Sequence, residues 1–345
     1  MSIMYREIIE QPDAVAAALE GSASAAAALA AAVVKADVRS VVIAARGTSD
    51  NAATYAKYLI ETTLGIPCAL AAPSVITLYG VELRVKDALV LGISQSGQGS
   101  DILEVLNSAR ASGAITACVT NNPESPLAGA CDHVLLCNAG EEMAVAATKT
   151  YTTSLAAVAQ FVACWSGSAQ LASDLASAPA LMREALTAEE AIVRNIARYR
   201  YMTECSVLAR GLNQCTALEA SLKLTETCYV GAKPWSAADF MHGPIAVVED
   251  GFPCFLFAPD GRALPAMAQL TGVLALRRAE MVVASACEDL LQRATSPIPM
   301  PAGVPEAISP MVYILAGQLL ACRLAEVRGA NPDAPRGLSK VTVTR

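Results

Sequence analysis

Short apolar runs alternate with longer amphipathic segments along the first half of the chain. The runs are rich in Val, Ile and Leu, which is typical of strands buried on both faces, and they lie at 40–45, 88–93, 114–119 and 133–137. Between them apolar residues recur at helical spacing, as Ile102, Leu106 and Ala109 do in a segment that stops at Gly113. This alternation predicts a parallel sheet covered by helices on both faces.

The same plan recurs after position 200. SVLARG at 206–211 resembles IAARG at 43–47, and FPCFLFAPDG at 252–261 falls over ALVLGISQSG at 88–97, both at an offset of about 164 residues. The sequence therefore predicts two copies of one α/β unit. Helices are predicted to link them between about 164 and 198, and the tail from Gly329 is predicted to be rich in turns and then briefly strand-like.

Composition favours a soluble α/β enzyme of two domains. The 345 residues are 54% hydrophobic and 17% charged, which suffices for large cores and leaves little for disorder. The net charge is -7 and Lys and Arg do not cluster, so the sequence does not indicate a basic surface that would bind nucleic acid or an anionic membrane. Eleven scattered cysteines without a C-x-x-C pair indicate reduced thiols and no zinc site.

The beginning of the chain predicts a packed helix in a cytoplasmic protein. The Ala-rich segment 22–36 is short for a bilayer span and is bounded by Glu20 and Lys35. The opening residues MSIMYREII lack the charged, apolar and small-residue order of a secretory signal. We therefore expect no membrane partner.

Polar residues concentrate where the run at 88–93 ends. Ser94, Gln95 and Ser96 offer hydroxyl and amide groups, Gly97 lets the backbone approach a ligand, and the helix that follows offers free N–H groups. Because the nucleotide pattern G-x-x-x-x-G-K-[ST] is absent, the loop favours a sugar phosphate over a nucleotide. The alternative is a polar turn that merely caps a helix.

A second polar strand end favours the ligand interpretation. Gly47, Thr48 and Ser49 follow the run at 40–45, and two hydroxyl-rich strand ends in one domain can converge on a polyol. The equivalent turns of the second copy, RGLN and APDG, contain no Ser or Thr. We therefore expect one phosphate site per chain, in the first copy.

Candidate acid–base groups lie in the second copy. Glu219, Lys223 and Glu226 share one helical face, which is ordinarily a solvated ion-pair face. The segment is otherwise apolar, so a partly desolvated carboxylate tuned for proton transfer is the alternative. Context must decide between the two.

Three other residues are weighed for chemistry. His242 lies in DFMHGPI, where Gly-Pro ends a helix, and is either a structural residue or a general acid. His133 opens a predicted strand and is interpreted as structural. Lys340 is either a solvated charge near the end of the chain or a buried amine that forms a Schiff base.

Taken together, the motifs resemble one family. SQSG, RGTS, NAGEEMAVAATKTYTTSL, ALEASLKLTE, DFMHGPIAV and GLSKVTVT occur in one order, and this set is similar to the tandem sugar isomerase (SIS) domains that form the isomerase part of glucosamine-6-phosphate synthase. The resemblance covers essentially the whole chain. It implies two doubly wound, flavodoxin-like domains, each with a parallel five-stranded sheet flanked by helices.

The resemblance also implies roles for individual residues and a division of the chain. Glu226 matches the base that moves a proton between C1 and C2, Lys223 its partner, His242 the residue that assists ring opening, and Lys340 the lysine that reaches a C2 carbonyl. The implied phosphate ligands are Ser94, Gln95, Ser96, Gly97 and Ser100, and the implied sugar contacts are Thr48, Ser49, Val145 and Ser339. The expected segments are an N-terminal helical part at 1–35, a first SIS domain at 36–190, a second at 191–330 and a tail at 331–345 that closes the site.

The family pattern further implies a homodimer in which His242 serves the neighbouring subunit's site, without a metal or cofactor. The chain departs from that pattern at three positions. Gly99 stands where the family pattern has a phosphate-binding Thr, and the adjacent Ser100 is the candidate substitute. Thr225 replaces a second Lys, and Ser339 replaces an Ala. No N-terminal Cys or glutaminase domain precedes the tandem, so we expect no release of ammonia from glutamine by this chain alone.

The leading functional hypothesis is an aldose–ketose isomerase of amino-sugar phosphates that releases ammonia from glucosamine 6-phosphate to give fructose 6-phosphate. The alternatives are a deglycase of 6-phosphorylated fructosamines and a non-catalytic sugar-phosphate sensor. Glu226, His242 and Lys340 together argue against the sensor.

Overall fold

The computed structural model describes residues 1–340 and divides the chain into two compact units. The first, the N-terminal sheet unit, comprises Asp13–Glu142, Lys149–Ala176 and the segment that begins at Ser339. The second, the C-terminal sheet unit, comprises Met1–Pro12, Met143–Thr148 and Ser177–Leu338. The brief strand expected at the end of the chain falls on 341–345, outside the described residues. The four segments expected from the sequence stay a prediction.

The N-terminal sheet unit contains a parallel five-stranded sheet in the order β2-β1-β3-β4-β5. Its strands are β1 (Val41–Ala44), β2 (Cys68–Leu70), β3 (Leu89–Ile93), β4 (Ile115–Thr120) and β5 (His133–Leu136). The order reverses between β1 and β3, which pair in parallel with Ala44 opposite Gly92. Every position of β3 is buried, as its unbroken apolar run requires.

The C-terminal sheet unit repeats this topology. Its strands are β6 (Glu204–Ala209), β7 (Gly231–Ser236), β8 (Pro253–Ala258), β9 (Glu280–Ser285) and β10 (Ser296–Pro299). They are parallel and follow the order β10-β9-β8-β6-β7, which is the first order read from the other edge. The sequence repeat is therefore confirmed as two copies of one doubly wound, flavodoxin-like sheet.

Helices connect and cover the strands. In chain order they are α1 (Ile3–Ile9), α2 (Gln11–Lys35), α3 (Thr48–Leu64), α4 (Ser74–Thr77), α5 (Ser100–Ala111), α6 (Pro126–Ala130), α7 (Lys149–Ser166), α8 (Ala169–Ala185), α9 (Ala188–Asn195), α10 (Gln214–Cys228), α11 (Ala237–Met241), α12 (Leu264–Leu276), α13 (Glu288–Arg293) and α14 (Ser309–Val327). The helix predicted to stop at Gly113 ends at Ala111, and α11 ends before Gly243-Pro244 as expected.

Two helices within residues 1–340 are long and apolar enough to cross a membrane by length and composition, namely α2 and α14. In α14, 83% of the apolar window is buried inside the protein, as in the core helix of a soluble domain, whereas in α2 the share is 33%. The Ala-rich segment is confirmed as part of one packed helix, since Ala26, Leu29 and Val33 are buried.

The cores of both units contain buried cysteine thiols. Loss of solvation raises the pKa of Cys137 and Cys228 to about 11 and that of Cys254 to about 12, from an ordinary value of 9.0. In the unfolded chain these thiols ionise near 9.0, while in the folded chain they remain protonated. The stability that they contribute is therefore complete below pH 9 and is lost as the pH rises from there.

We accordingly expect the free energy of unfolding to fall between pH 8 and pH 10, by roughly 1 kcal/mol per buried thiol at pH 10. Urea unfolding at a series of pH values in the presence of a reductant measures this. Cys254→Ala removes one buried thiol and should flatten the decline, whereas Cys164→Ala removes an exposed one and should leave it unchanged. Equal slopes in the two variants would contradict the assignment.

Candidate active site

Two strand-end loops of the N-terminal sheet unit meet at the point where its strand order reverses. The loop after β1 leads through Gly47 into Thr48 and Ser49 at the start of α3, and the loop after β3 contains Ser94 to Gly97. Because Ala44 lies opposite Gly92, both loops leave the carboxyl edge at neighbouring positions. In open parallel sheets this is where ligands bind.

Hydrogen bonds donated by backbone N–H groups hold the Ser94–Gly97 turn in place. The N–H of Gly97 donates to Ser94 Oγ at 3.1 Å, and the N–H of Gln98 donates to Ser96 Oγ at 3.3 Å. The carbonyl of Gln95 accepts from the N–H of Asn121 at 3.0 Å. Since both serine oxygens act as acceptors in these bonds, each hydroxyl keeps its proton for donation to an anion.

The structure explains the glycine at position 97 by the turn that it forms, and not by the approach of a ligand that the sequence suggested. Its φ is +63°, and a Cβ at this position would lie 2.2 Å from Oγ of Ser125, the residue that caps the N-terminus of α6. Glycine is therefore required for the turn itself and for its packing on α6.

An ion pair that the sequence pattern did not indicate links the loop after β1 to the start of α5. Arg46 Nε donates to Asp101 Oδ2 at 2.8 Å, and the Asp101 side chain in the first turn of α5 is buried. A buried carboxylate there would repel a phosphate at the same helix start, and the guanidinium offsets that charge. The signal was an arginine directly before Gly-Thr-Ser.

Thr48 and Ser49 begin α3, and Ser100 begins α5. The first two side chains are half-buried, and Ser100 is exposed. The three hydroxyls thus lie at the starts of the two helices that follow the strand-end loops. Their contacts with phosphate or sugar stay predictions.

In the C-terminal sheet unit, α10 contains a cluster of three charged side chains, two of which are buried. Lys223 Nζ lies 3.3 Å from Glu219 Oε1 and donates to Glu226 Oε2 at 2.7 Å. The side chains of Lys223 and Glu219 are 1% and 0% exposed, whereas that of Glu226 is 23% exposed. The interpretation as a solvated ion-pair face is therefore wrong, because Lys223 and Glu219 are buried, while the tuning of a carboxylate for proton transfer stays a prediction.

This arrangement makes Lys223 a fixed cation. Burial alone would lower the pKa of its ammonium group, but the carboxylates of Glu219 and Glu226 outweigh that effect and raise it. Lys223 therefore stays protonated and holds one oxygen of Glu226, the member of the group that reaches solvent. A carboxylate oriented in this way is suited to accept a proton from a bound ligand.

His242 and Val145 also belong to the C-terminal sheet unit. His242 follows α11, its side chain is exposed, and its N–H donates to the carbonyl of Asp239 at 3.1 Å. The N–H of Val145 donates to the carbonyl of Asp333 at 3.4 Å. Neither observation assigns these residues to a ligand, and their roles stay predictions.

Ser339 and Lys340, near the end of the chain, belong to the N-terminal sheet unit. Lys340 Nζ donates to Oε2 of Glu142 at 2.8 Å, and the Glu142 side chain is completely buried. Lys340 is thus 24% exposed and paired, which differs from a solvated charge. Ser339 is exposed. Glu142 was missed because GEEM shows two adjacent glutamates and nothing in the spacing distinguishes the buried one.

Within residues 1–340, no group of three or more His, Cys, Asp or Glu side chains is arranged to hold a metal ion. The candidate groups are hydroxyls, backbone amides and Lys340 in the N-terminal sheet unit, and Lys223 with Glu226 in the C-terminal sheet unit. These groups can bind an anion and transfer protons.

Comparisons with known proteins define the class. The SIS domain model matches residues 36–164. A solved structure from Silicibacter pomeroyi DSS-3, of a protein assigned to the phosphosugar isomerases, superposes with a TM-score of 0.87 at 34% identity over 96% of this chain and 100% of that one. The chain therefore belongs to the SIS family of phosphosugar isomerases, a class of enzymes, and the predicted resemblance is confirmed.

Within that family the chain is similar to one particular isomerase domain. The C-terminal domain of glucosamine-fructose-6-phosphate aminotransferase from Francisella tularensis gives a TM-score of 0.87 at 28% identity, over 97% of this chain and 98% of that domain. Glutamine-fructose-6-phosphate aminotransferase (isomerizing) from Pyrococcus horikoshii is 33% identical over 99% of this chain. The chain spans 57% of the length of that relative.

The Ser94–Gly97 turn provides a direct test of the anion site. Gly97→Ala places a methyl group against Ser125 at an unfavourable φ, so we expect loss of stability and at least tenfold weaker binding of a hexose 6-phosphate. Thermal unfolding and calorimetric titration measure the two effects. Gly129→Ala, where the added Cβ meets open space, is the matched control and should change neither. Undisturbed binding in Gly97→Ala would contradict this location of the phosphate.

Proposed function

We propose that this protein is an aldose–ketose isomerase of amino-sugar phosphates that converts glucosamine 6-phosphate and water into fructose 6-phosphate and ammonia. Its relatives' names refer to fructose 6-phosphate and to isomerisation, which supports the substrate class. The observation that carries the proposal is Glu226, a partly exposed carboxylate whose partner Lys223 is a buried cation.

The chemistry requires one proton relay and no redox change. In the open-chain sugar the hydrogen at C2 lies next to the C1 carbonyl, and a carboxylate can remove it to give an enolamine. Return of a proton to C1 leaves an imine at C2, and water adds to the imine carbon to release ammonia. Glu226 is the proposed base because Lys223 fixes one of its oxygens while the side chain remains accessible.

The remaining roles are proposed from the family resemblance. The hydroxyls of Ser94 and Ser96, with the amides around Gln95, Gly97 and Ser100, bind the phosphate. Thr48, Ser49, Val145 and Ser339 contact the sugar, and His242 assists ring opening. Lys340 supplies a cation or amine near the C2 oxygen or nitrogen, where charge develops during the proton transfer.

The proposal includes a cytoplasmic homodimer that needs neither metal nor other cofactor. The reduced thiols agree with that compartment. The exposed His242 agrees with a histidine that completes the neighbouring subunit's site, because its side chain is open to a partner.

One assay distinguishes the possible activities. The pure protein is incubated with a panel of hexosamine and fructosamine 6-phosphates, and ammonia, ketose phosphate and free amine are measured. We expect ammonia and fructose 6-phosphate from glucosamine 6-phosphate. Release of a free amino acid from a fructosamine phosphate would indicate a deglycase instead, and tight binding without turnover would indicate a sensor.

In the same assay Glu226→Gln should lower kcat by about 10²- to 10⁴-fold while substrate binding persists, because only proton transfer is removed. Glu204→Gln, an exposed glutamate at the start of β6, is the control and should retain full activity. A Glu226→Gln variant as active as the wild type would exclude Glu226 as the base.

Subunit complementation tests the shared site. His242→Ala and Glu226→Gln are each expected to be inactive alone. If His242 serves the partner's site, random mixing yields heterodimers with one intact site, so activity should return to about a quarter of the wild-type value. The mixture is unfolded and refolded together before assay, with each variant treated alone as control. A mixed dimer that remains inactive would place both residues in the same subunit's site.

A further inference from the structure

We propose that Glu142 is a positioning residue that holds the ammonium group of Lys340 in place for catalysis. The inference rests on the proposed function, in which Lys340 acts at C2 of the sugar. It assigns a purpose to a buried carboxylate that the proton relay through Glu226 does not use.

The contacts of Glu142 fix both of its oxygens. Oε1 accepts from the N–H of Thr150 at 3.0 Å, and Oε2 accepts from Thr150 Oγ1 at 2.7 Å and from Lys340 Nζ at 2.8 Å. Thr150 lies in the first turn of α7, where backbone N–H groups and the helix dipole favour a negative charge. The carboxylate is therefore anchored to a helix and cannot follow the lysine.

A buried anion is costly unless it is paired, which argues against an incidental contact. The Glu142 side chain is 0% exposed, whereas its neighbour Glu141 is exposed. The sequence thus places one glutamate inside the unit, against α7, and leaves the adjacent one in solvent. A structural partner for Thr150 alone would need no charge, since a glutamine oxygen can accept from the Thr150 N–H while its NH2 group donates to the Thr150 hydroxyl.

Lys340 is the group that gains from this anchor. Its side chain has four rotatable bonds, and it belongs to the tail of the chain rather than to a helix or strand. Proton transfer at C2 requires a cation or amine held close to the reacting atoms, and a displacement of about 1 Å can cost about 10²-fold in rate. The Glu142 carboxylate supplies that restraint and leaves Lys340 24% exposed toward a ligand.

The test is a kinetic cycle on the full chain with glucosamine 6-phosphate. Glu142→Gln keeps the size and one oxygen that can accept from the Thr150 N–H but removes the charge, so kcat should fall by about 10- to 100-fold while KM changes less than about twofold. Thr150→Val removes one donor to Glu142 and should lower kcat by a smaller factor. Glu141→Gln, the adjacent exposed glutamate, is the matched control and should match the wild type.

Non-additivity identifies the action through Lys340. In a Lys340→Gln background, Glu142→Gln should cause no further loss, because the group that it positions is already absent. Circular dichroism verifies that each variant is folded. If Glu142→Gln fails to fold, Thr150→Val, measured alone and with Lys340→Gln, carries the same comparison.

Different outcomes overturn different statements. If the wild type is active, three results overturn the positioning role alone. These are an unchanged kcat in Glu142→Gln, a change in KM only, or an effect that adds to that of Lys340→Gln. A wild-type chain that turns over no sugar phosphate on the panel overturns the proposed function, and this inference with it.

Discussion

The constraint on which the candidate site depends is the parallel pairing of β1 with β3. Parallel strands deliver their carboxyl ends to one edge, and the reversal of strand order between these two opens a crevice there. The pairing places the segments that follow the two strands at neighbouring positions of that edge. The Arg46–Asp101 ion pair then joins the loop after β1 to the helix after β3.

Both units pair a partly exposed charged side chain with a buried counterion. In the C-terminal sheet unit, buried Lys223 orients Glu226, and in the N-terminal sheet unit, buried Glu142 pairs with Lys340. A buried partner has few alternative conformations and little competition from water, so a single hydrogen bond suffices to define a direction. The cost of desolvating Lys223 and Glu142 is met by additional partners, Glu219 and Thr150.

Much of the fold could be predicted from the sequence because buried parallel strands appear as uninterrupted apolar runs. The strands β1, β3, β4, β5, β6 and β8 all coincide with such runs. The edge strands β2 and β7 were missed because CAL is short and GAKPWS contains Pro, Lys and Gly. β9 and β10 were not among the predicted runs either, β10 because it contains two prolines, which a strand tolerates at the edge of a sheet.

The candidate site could be predicted only in part, for a different physical reason. Residues that follow a strand directly, such as Ser94 and Thr48, are placed by topology, and topology can be inferred from pattern. Glu142 and Arg46 depend on which side chains meet in space, and their partners are 198 and 55 residues away along the chain. Neither pairing leaves a periodic trace. The burial of Lys223 was equally open, because spacing on a helix does not say which face is covered.

The duplicated sheet separates the geometry of a binding loop from its chemistry. Gly47 and Gly97 have φ values of +55° and +63°, and their counterparts at the same offset, Gly211 and Gly261, have +63° and +124°. The second copy thus retains left-handed glycines at both strand ends although its loops contain no serine or threonine. Such turns are therefore a property of the backbone framework, which is the same in both copies although the side chains that it presents differ.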